Sequence, residues 1–290
     1  MSSNKQRLLV LGASGMLGNA VLRVFAADPA YEVFGSVRSA GVIATLQAKA
    51  PAAQFVAGAD VESLDSLTRL FAQVRPSLVV NCIGIVKQLA EADDPLTAIP
   101  INALLPHRLA RLAQVAGARL IHVSTDCVFT GAQGGYVETD PSDAQDLYGR
   151  SKLMGEVDYD NAVTLRTSII GHELASAHGL VGWFLSQPGP VRGFTRAVFS
   201  GLPTVELARV MKDFVAPHPA LRGTWHVSAD AIDKYNLLKL VAAEYGRSND
   251  ITPDDKLVID RSLDSSRFRA ATGYAPRAWP ELVRRMRTFG

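Results

Sequence analysis

The chain is short of cysteine, of clustered histidine, of net charge and of long apolar runs, and each shortage excludes a class of protein. Two cysteines, Cys82 and Cys127, among 290 residues cannot form a disulfide framework. The six histidines are scattered, with no pair at helical i, i+4 spacing, so no metal site is expected. Lysine and arginine number 30 against 28 aspartates and glutamates, a net charge of +2. That balance argues against nucleic acid as a partner and against an acidic tail. The longest uncharged stretches, 8–22 and 174–191, are broken by glycines and polar residues, whereas a membrane span needs about 20 predominantly apolar residues. The first residues have no signal-peptide layout, so a cytoplasmic location is expected. What is plentiful is apolar material, 48% of residues against 20% charged, enough for a large core. The length corresponds to about two domains.

The first half alternates short apolar runs with amphipathic stretches. Residues 8–11, 32–37, 54–56, 78–82, 120–124 and 163–166 read as strands, nearly all apolar, as in a parallel sheet covered on both faces. Between them, 16–27, 63–73 (with Ser63 as N-cap) and 102–116 (with Leu104, Leu105, Leu109 and Leu112 on one face) read as helices. This alternation predicts an α/β fold, a Rossmann-type doubly wound parallel sheet. Beyond 171 the pattern changes. Residues 172–196 read as loop with a short helix, 198–204 as a strand, 205–214 as a helix and 224–227 as a strand. Then follow a helix over 235–245 closed by Gly246, a strand over 257–260, and a last helix over 279–286 opened by Pro280. The expected division is a cofactor domain over 1–170, to which some later segments return, and a smaller mixed α/β substrate domain over 171–290.

Chemistry concentrates at four places. Gly12-Ala13-Ser14-Gly15-Met16-Leu17-Gly18 follows the first strand directly and opens the first helix. Glycines there permit a tight turn and close approach of backbone amides to a pyrophosphate, although the spacing departs from the general dinucleotide fingerprint. The second strand is followed by Arg38, where an enzyme using NAD usually carries a carboxylate for the ribose; a guanidinium suits a 2′-phosphate instead. Asp60-Val61, after the third strand, is placed to bond the adenine edge. Finally, Ser124-Thr125-Asp126 ends the fifth strand, and Tyr148-Gly149-Arg150-Ser151-Lys152 sets a tyrosine and a lysine on one helical face. A nearby ammonium would favour the phenolate and bring the tyrosine closer to working pH. A Thr125 hydroxyl would hold the substrate oxygen.

At these residues the chain resembles the extended short-chain dehydrogenase/reductase family, in particular its nucleotide-sugar 4-ketoreductase branch, the dTDP-4-dehydrorhamnose reductases and their relatives. The resemblance runs nearly the whole length. Besides the glycine turn and the Tyr-x-x-x-Lys run, it takes in Asn81-Cys82-Ile83-Gly84, Asn102-Ala103 and Ser124-Thr125-Asp126-Cys127-Val128-Phe129. It also takes in Leu165-Arg166-Thr167-Ser168, Gly201-Leu202-Pro203-Thr204 and Arg261-Ser262-Leu263-Asp264. It implies Thr125, Tyr148 and Lys152 as the catalytic triad. It further implies cofactor contacts from Cys82, Ile83, Gly84, Asn102, Lys152, Thr167, Ser168 and Ile169, the residues at 83–84 and 167–169 flanking the nicotinamide. Two departures count. Dehydratases of the superfamily carry Glu where Cys127 stands, so elimination is disfavoured. Rhamnose-forming reductases usually carry Tyr there and often Trp near Ile169, which leaves the sugar open.

Substrate contacts are expected from Lys87, Asp126, Cys127, Arg196 and Arg261, with Arg192 and Arg267 as further partners for a diphosphate. Trp183, Phe184 and Phe194 could stack on a base, but core packing is the expected reading of them. Cys127 reads as a buried thiol and not as a nucleophile. The expected activity is NADPH-dependent reduction of a 4-keto nucleotide-activated deoxysugar, with NADP(H) as cofactor and NAD(H) as the alternative. A nucleotide-sugar epimerase of the same fold and a non-catalytic cofactor-binding regulatory subunit stand as rivals. The partner is a nucleotide-sugar substrate, with neither nucleic acid nor membrane, and a homodimer is the expected assembly if there is one.

Overall fold

The computed structural model describes residues 5–87, 90–174 and 176–290. Its strands are β1 (Gln6–Leu11), β2 (Tyr31–Val37), β3 (Gln54–Ala57), β4 (Leu78–Asn81), β5 (Arg119–Thr125), β6 (Ala162–Thr167), β7 (Ile169–Ile170), β8 (Val191–Phe194), β9 (Ala197–Phe199), β10 (Leu202–Pro203), β11 (Gly223–His226), β12 (Ile232–Asp233), β13 (Ile251–Asp254) and β14 (Ile259–Asp260). The helices are α1 (Met16–Ala26), α2 (Ile43–Lys49), α3 (Leu64–Val74), α4 (Pro95–Ala98), α5 (Leu105–Val115), α6 (Leu147–Met154), α7 (Leu180–Ser186), α8 (Thr204–Val210), α9 (Lys234–Tyr245), α10 (Ser266–Thr272) and α11 (Trp279–Phe289). Seven strands form one sheet in the order β11-β6-β5-β4-β1-β2-β3, and every pair in it is parallel. The strand order reverses between β1 and β4, and ligands of doubly wound sheets lie outside the carboxyl ends at such a point.

The period of two in β1 explains both faces. Leu8 and Val10 enter one apolar cluster with Leu17, Val21, Leu22 and Phe25 of α1; Leu9 and Leu11 enter another with Leu70 and Phe71 of α3 and Leu109 of α5. Each large side chain buried this way contributes about 1.5–3 kcal/mol. The first cluster does not stop at position 170. It also holds Leu207, Leu238 and Leu282 from α8, α9 and α11, so the C-terminal helices share a core with the sheet.

Strand positions in the first half agree with the sequence reading to within two residues. Other segments differ, each for a local reason. The helix expected over 102–116 begins earlier, at Pro95, capped by the Asp94 side chain, and passes through a π-type turn over Ile99–Leu104. Pro106 has no N–H to give the Asn102 carbonyl, so the regular winding is broken there. The strand expected over 198–204 is two, β9 and β10, divided at Ser200-Gly201. The helices α2 and α10 and the strand β13, which pairs with β8, carry no clear period in sequence. The strand β11 returns to the main sheet at the edge of β6.

Phe25 is fully buried on α1 and meets Tyr31 edge-on, with ring centroids 4.9 Å apart. Phe25→Ala is expected to cost about 3–5 kcal/mol, read as a lower urea midpoint with an unchanged slope.

Candidate active site

The turn from β1 into α1 is built by two close approaches. Gly12 has φ +78°, a region that glycine enters freely, and a Cβ there would stand 2.9 Å from Ile83 Cγ1 on the β4 loop. A Cβ on Gly18 would collide with the Gly12 carbonyl. Gly15 is the N-cap of α1, offers no side chain to the first-turn amides, and no acidic residue follows it. The amides of Met16, Leu17 and Gly18 therefore have no intrahelical carbonyl, beside the exposed Ser14, at the positive end of the helix dipole. Arg38 is exposed at the end of β2 and has no ion pair among the described residues. Asp60 is exposed after β3; one carboxylate oxygen accepts from Glu62 N at 3.0 Å, while Val61 packs against the α3 side of the core.

Thr125, Tyr148 and Lys152 converge at the carboxyl end of β5. The N-terminus of α6 is fixed by Asp146, whose carboxylate accepts from Gly149 N at 2.7 Å. A side chain at Gly149 would collide with the Cys127 carbonyl, so only glycine lets α6 lie this close to the strand end. Tyr148 thereby faces the Thr125 hydroxyl, and Thr125 Oγ1 accepts from Cys127 N at 3.1 Å. One turn on, the buried Lys152 ammonium donates to the Val123 carbonyl at 2.8 Å and lies beside Gly84. Asn102 braces this corner: its Oδ1 accepts from Ile85 N at 2.9 Å, and its Nδ2 donates to Ser151 Oγ at 3.3 Å.

Burial governs the charges. It lowers the Lys152 ammonium to about 8, although the Glu156 carboxylate acts to raise it. Burial pushes the Tyr148 phenol up; Cys127, Asp126 and Asp146 push it further, and only the Thr125 hydrogen bond opposes them. Burial and these neighbours thus outweigh any lowering of the tyrosine expected from Lys152. Behind the lysine lies His122. Asn81 Oδ1 accepts from Ile83 N, so its Nδ2 donates to His122 Nδ1 at 3.2 Å, leaving the proton on a buried Nε2 without a protein partner. Burial holds this imidazole neutral.

Asp126 is buried and its carboxyl is raised by burial, against the pull of Arg261. Burial and Asp126 raise the Cys127 thiol to about 11, as suits an inert thiol. Arg261 enters from the C-terminal half, its Nε donating to the Phe129 carbonyl at 2.7 Å. Lys87 closes the rim through an ion pair with Asp146. Thr167 lies level with Thr125 on β6, and Ser168-Ile169 cross from there into the β7–β10 pair.

Other candidate contacts are engaged within the protein or stand exposed. Arg267 stacks on Trp225 at 3.6 Å and donates to the Thr224 carbonyl, Arg192 pairs with Asp254, and Phe184 is core. Arg196 is exposed after β8 without an ion pair among the described residues. The sequence reading missed Lys234, at the start of α9, whose ammonium is under the charges of Asp126, Cys127 and Arg261. No local pattern flags it, because it reaches the site from a distant segment. Asp146 and Gly149 were legible in principle, as an N-cap aspartate three residues before a helical glycine.

The family model described as RmlD substrate binding domain matches residues 6–287. The chain belongs to this RmlD family. Among its relatives, dTDP-4-dehydrorhamnose reductase of Mycobacterium tuberculosis is 30% identical over 210 residues, which cover 65% of this chain and 62% of that protein. Methionine adenosyltransferase 2 subunit beta of Rattus norvegicus is 31% identical over 151 residues, 52% of this chain and 42% of that one. The matched regions thus span less than two thirds of these relatives. In structure, dTDP-4-dehydrorhamnose reductase from Bacillus anthracis in complex with NADP superimposes with TM-score 0.76 at 19% identity, over 99% of this chain and 100% of that chain. The RmlD fold is therefore shared over its full length. Among the described residues no helix is long and apolar enough to cross a membrane, and no cluster of His, Cys, Asp or Glu could hold a metal ion.

The seat of Lys152 has a cost that can be measured. With a folded value of about 8 against the ordinary 10.5, its charged form is disfavoured in the native state at every pH below about 8. The penalty fades as pH rises from about 8 towards 10.5, where the unfolded chain also loses the proton. Lys152→Met is expected to be more stable than the parent by roughly 2–3 kcal/mol at pH 7. Denaturant unfolding should show that difference vanishing above pH 10.5.

Proposed function

We propose that the protein reduces the 4-keto group of a nucleotide-activated deoxysugar, with NADPH as the hydride source. The observation that carries the reading is the meeting of Thr125, Tyr148 and Lys152 at the end of β5, next to the open helix start behind Gly12–Gly18. A solved member of the fold holding NADP supports the cofactor. So does the turn itself, which leaves no room for side chains at Gly12 and Gly18 and presents free amides where a pyrophosphate would sit. Arg38, exposed and without a carboxylate partner among the described residues, would pair with the 2′-phosphate. Bound in this way, NADPH would be the source of the hydride for the carbonyl carbon.

The chain's own groups do the rest. Tyr148 donates its proton to the developing alkoxide oxygen. Its raised affinity for that proton suits an acid, since the phenol stays protonated until the oxygen becomes basic. Thr125 orients the carbonyl by a hydrogen bond. Lys152 would hold a ribose hydroxyl and bring positive charge to the phenol's surroundings. Asp126, Arg261 and Lys87 line the sugar side, and the nucleotide and diphosphate provide the binding that orients a small reacting ring. Cys127 in place of a glutamate gives the pocket no second acid of the kind elimination requires.

The relative that is by name an adenosyltransferase subunit favours a second reading, a cofactor-binding subunit of another enzyme. Steady oxidation of NADPH with a nucleotide 4-ketosugar, followed by absorbance, separates the readings. A stable protein partner without turnover of any ketosugar would decide for the subunit, and sugar epimerisation with no net cofactor use for an epimerase. Tyr148→Phe is expected to lower kcat by roughly 10²–10⁴-fold with the fold intact by circular dichroism; near-parental turnover would remove the proton-donor role. Arg38→Ala should weaken NADPH by roughly 1.5–3 kcal/mol and NADH much less, measured by titration calorimetry.

A further inference from the structure

One ion pair near the end of β5 has no part in the reaction proposed above. Glu156, just beyond α6, turns its carboxylate under the end of β5, where it accepts three hydrogen bonds. Oε1 takes one from Ser124 Oγ at 2.7 Å and one from Arg166 Nε at 2.8 Å, and Oε2 takes one from Arg166 Nη2 at 2.6 Å. The two charged side chains are 8% and 5% exposed. Arg166 is fixed in turn. Its Nη1 donates to His226 Nε2 at 3.0 Å, which places the His226 proton on Nδ1, facing the Tyr136 carbonyl, and the Phe129 ring lies 5.1 Å from the guanidinium carbon.

A buried ion pair of this kind is weak evidence for stability, because well-packed apolar residues usually do as well. Its placement suggests another use. Three consecutive residues at the strand end each carry one part of the site. The Val123 carbonyl seats the Lys152 ammonium, the Ser124 hydroxyl is held by Glu156, and Thr125 faces Tyr148. We propose that Glu156, locked by Arg166, is a positioning residue: it pins Ser124, and with it the segment that seats Lys152 and presents Thr125, and it stands as the fixed negative charge beside the lysine. The inference rests on the reading of the triad given above.

The surroundings of Lys152 make the charge effect readable. From β5 it faces His122, held neutral by burial; Tyr148 lies one turn back on α6; Asn102 and Gly84 close the remaining sides without charge. Glu156 is the charge that acts to keep the ammonium protonated against burial. Loss of that charge must lower the pH at which Lys152 gives up its proton, whereas loss of the Ser124 tether must not.

The test follows the lysine directly, by the Cε–Hε NMR signals of the ¹³C-lysine-labelled full chain. The Lys152 resonance is assigned by its absence in Lys152→Met. Glu156→Gln keeps an acceptor for Ser124 but removes the charge, and its Lys152 midpoint is expected about one pH unit below the parental value. Glu156→Asp should bring the midpoint back. Ser124→Ala should leave the midpoint in place while kcat/KM for the ketosugar falls about tenfold or more through loss of alignment. Should Glu156→Gln fail to fold around an unpaired guanidinium, Glu156→Gln with Arg166→Met removes both charges and is expected to show a smaller shift in the same direction, because the guanidinium's opposing field is lost with the carboxylate. An unchanged midpoint in whichever of these two variants folds, or a Ser124→Ala variant with parental kcat/KM, would overturn the proposal. The titration needs no substrate. A shifted midpoint with no turnover of any ketosugar would therefore overturn the function proposed above and leave the Glu156–Lys152 relation standing.

Discussion

The site depends on one contact, the seating of α6 against the chain that leaves β5. Gly149 lies on the Cys127 carbonyl with no room for a Cβ, and Asp146 caps the helix from the neighbouring turn. This contact brings Tyr148 to Thr125 and puts Lys152 one turn deeper, under the Val123 carbonyl. Remove the close approach and the three groups separate, even with every strand of the sheet in place. The glycine turn behind β1 plays a similar part at the other end of the crevice, where Gly12 meets Ile83 across the point at which strand order reverses.

Low dielectric surroundings then set opposite tasks for the two titrating groups. Burial raises the phenol and lowers the ammonium, so in both cases it favours the neutral form. A proton donor benefits from the first effect, while a group meant to carry positive charge is weakened by the second. The interior answers with a carboxylate behind the lysine and with neutral donors elsewhere. His122 and His226 are both kept uncharged by burial, so neither adds a competing positive charge. A lysine seated against the drift of burial is the kind of local rule-breaking that folds keep at a site with a task.

Much of this was legible in residue order. The alternation of apolar runs with amphipathic stretches identified the parallel sheet, because strands covered on both faces have few polar positions to spare. The glycine turn, Arg38 and the Tyr148–Lys152 spacing were each readable from local geometry alone. Segments with weak periodicity were not: α2, α10 and β13 are held by contacts with distant elements, and the π-type turn at Asn102 sits before Pro106 in a helix that starts earlier than its leucine pattern suggests. Of the four arginines proposed for a diphosphate, Arg261 lies beside Asp126, while Arg267 and Arg192 are engaged by other groups and Arg196 is exposed. Sequence records that a guanidinium is present but not whether a tryptophan, an aspartate or a carbonyl takes it first.

Family membership, the doubly wound sheet and the candidates Thr125, Tyr148 and Lys152 follow from short-range patterns, since hydrophobic periodicity, turn chemistry and i, i+4 spacing are all written within a few residues. The electrostatics of the site do not. Asp126, Arg261 and Lys234 are far apart in the chain and share one pocket, and Glu156, Arg166 and Ser124 come from three different segments. Coulomb and desolvation energies depend on separation in space and on distance from water. Only the folded chain sets either quantity, and so only tertiary structure decided which charges the lysine and the tyrosine feel.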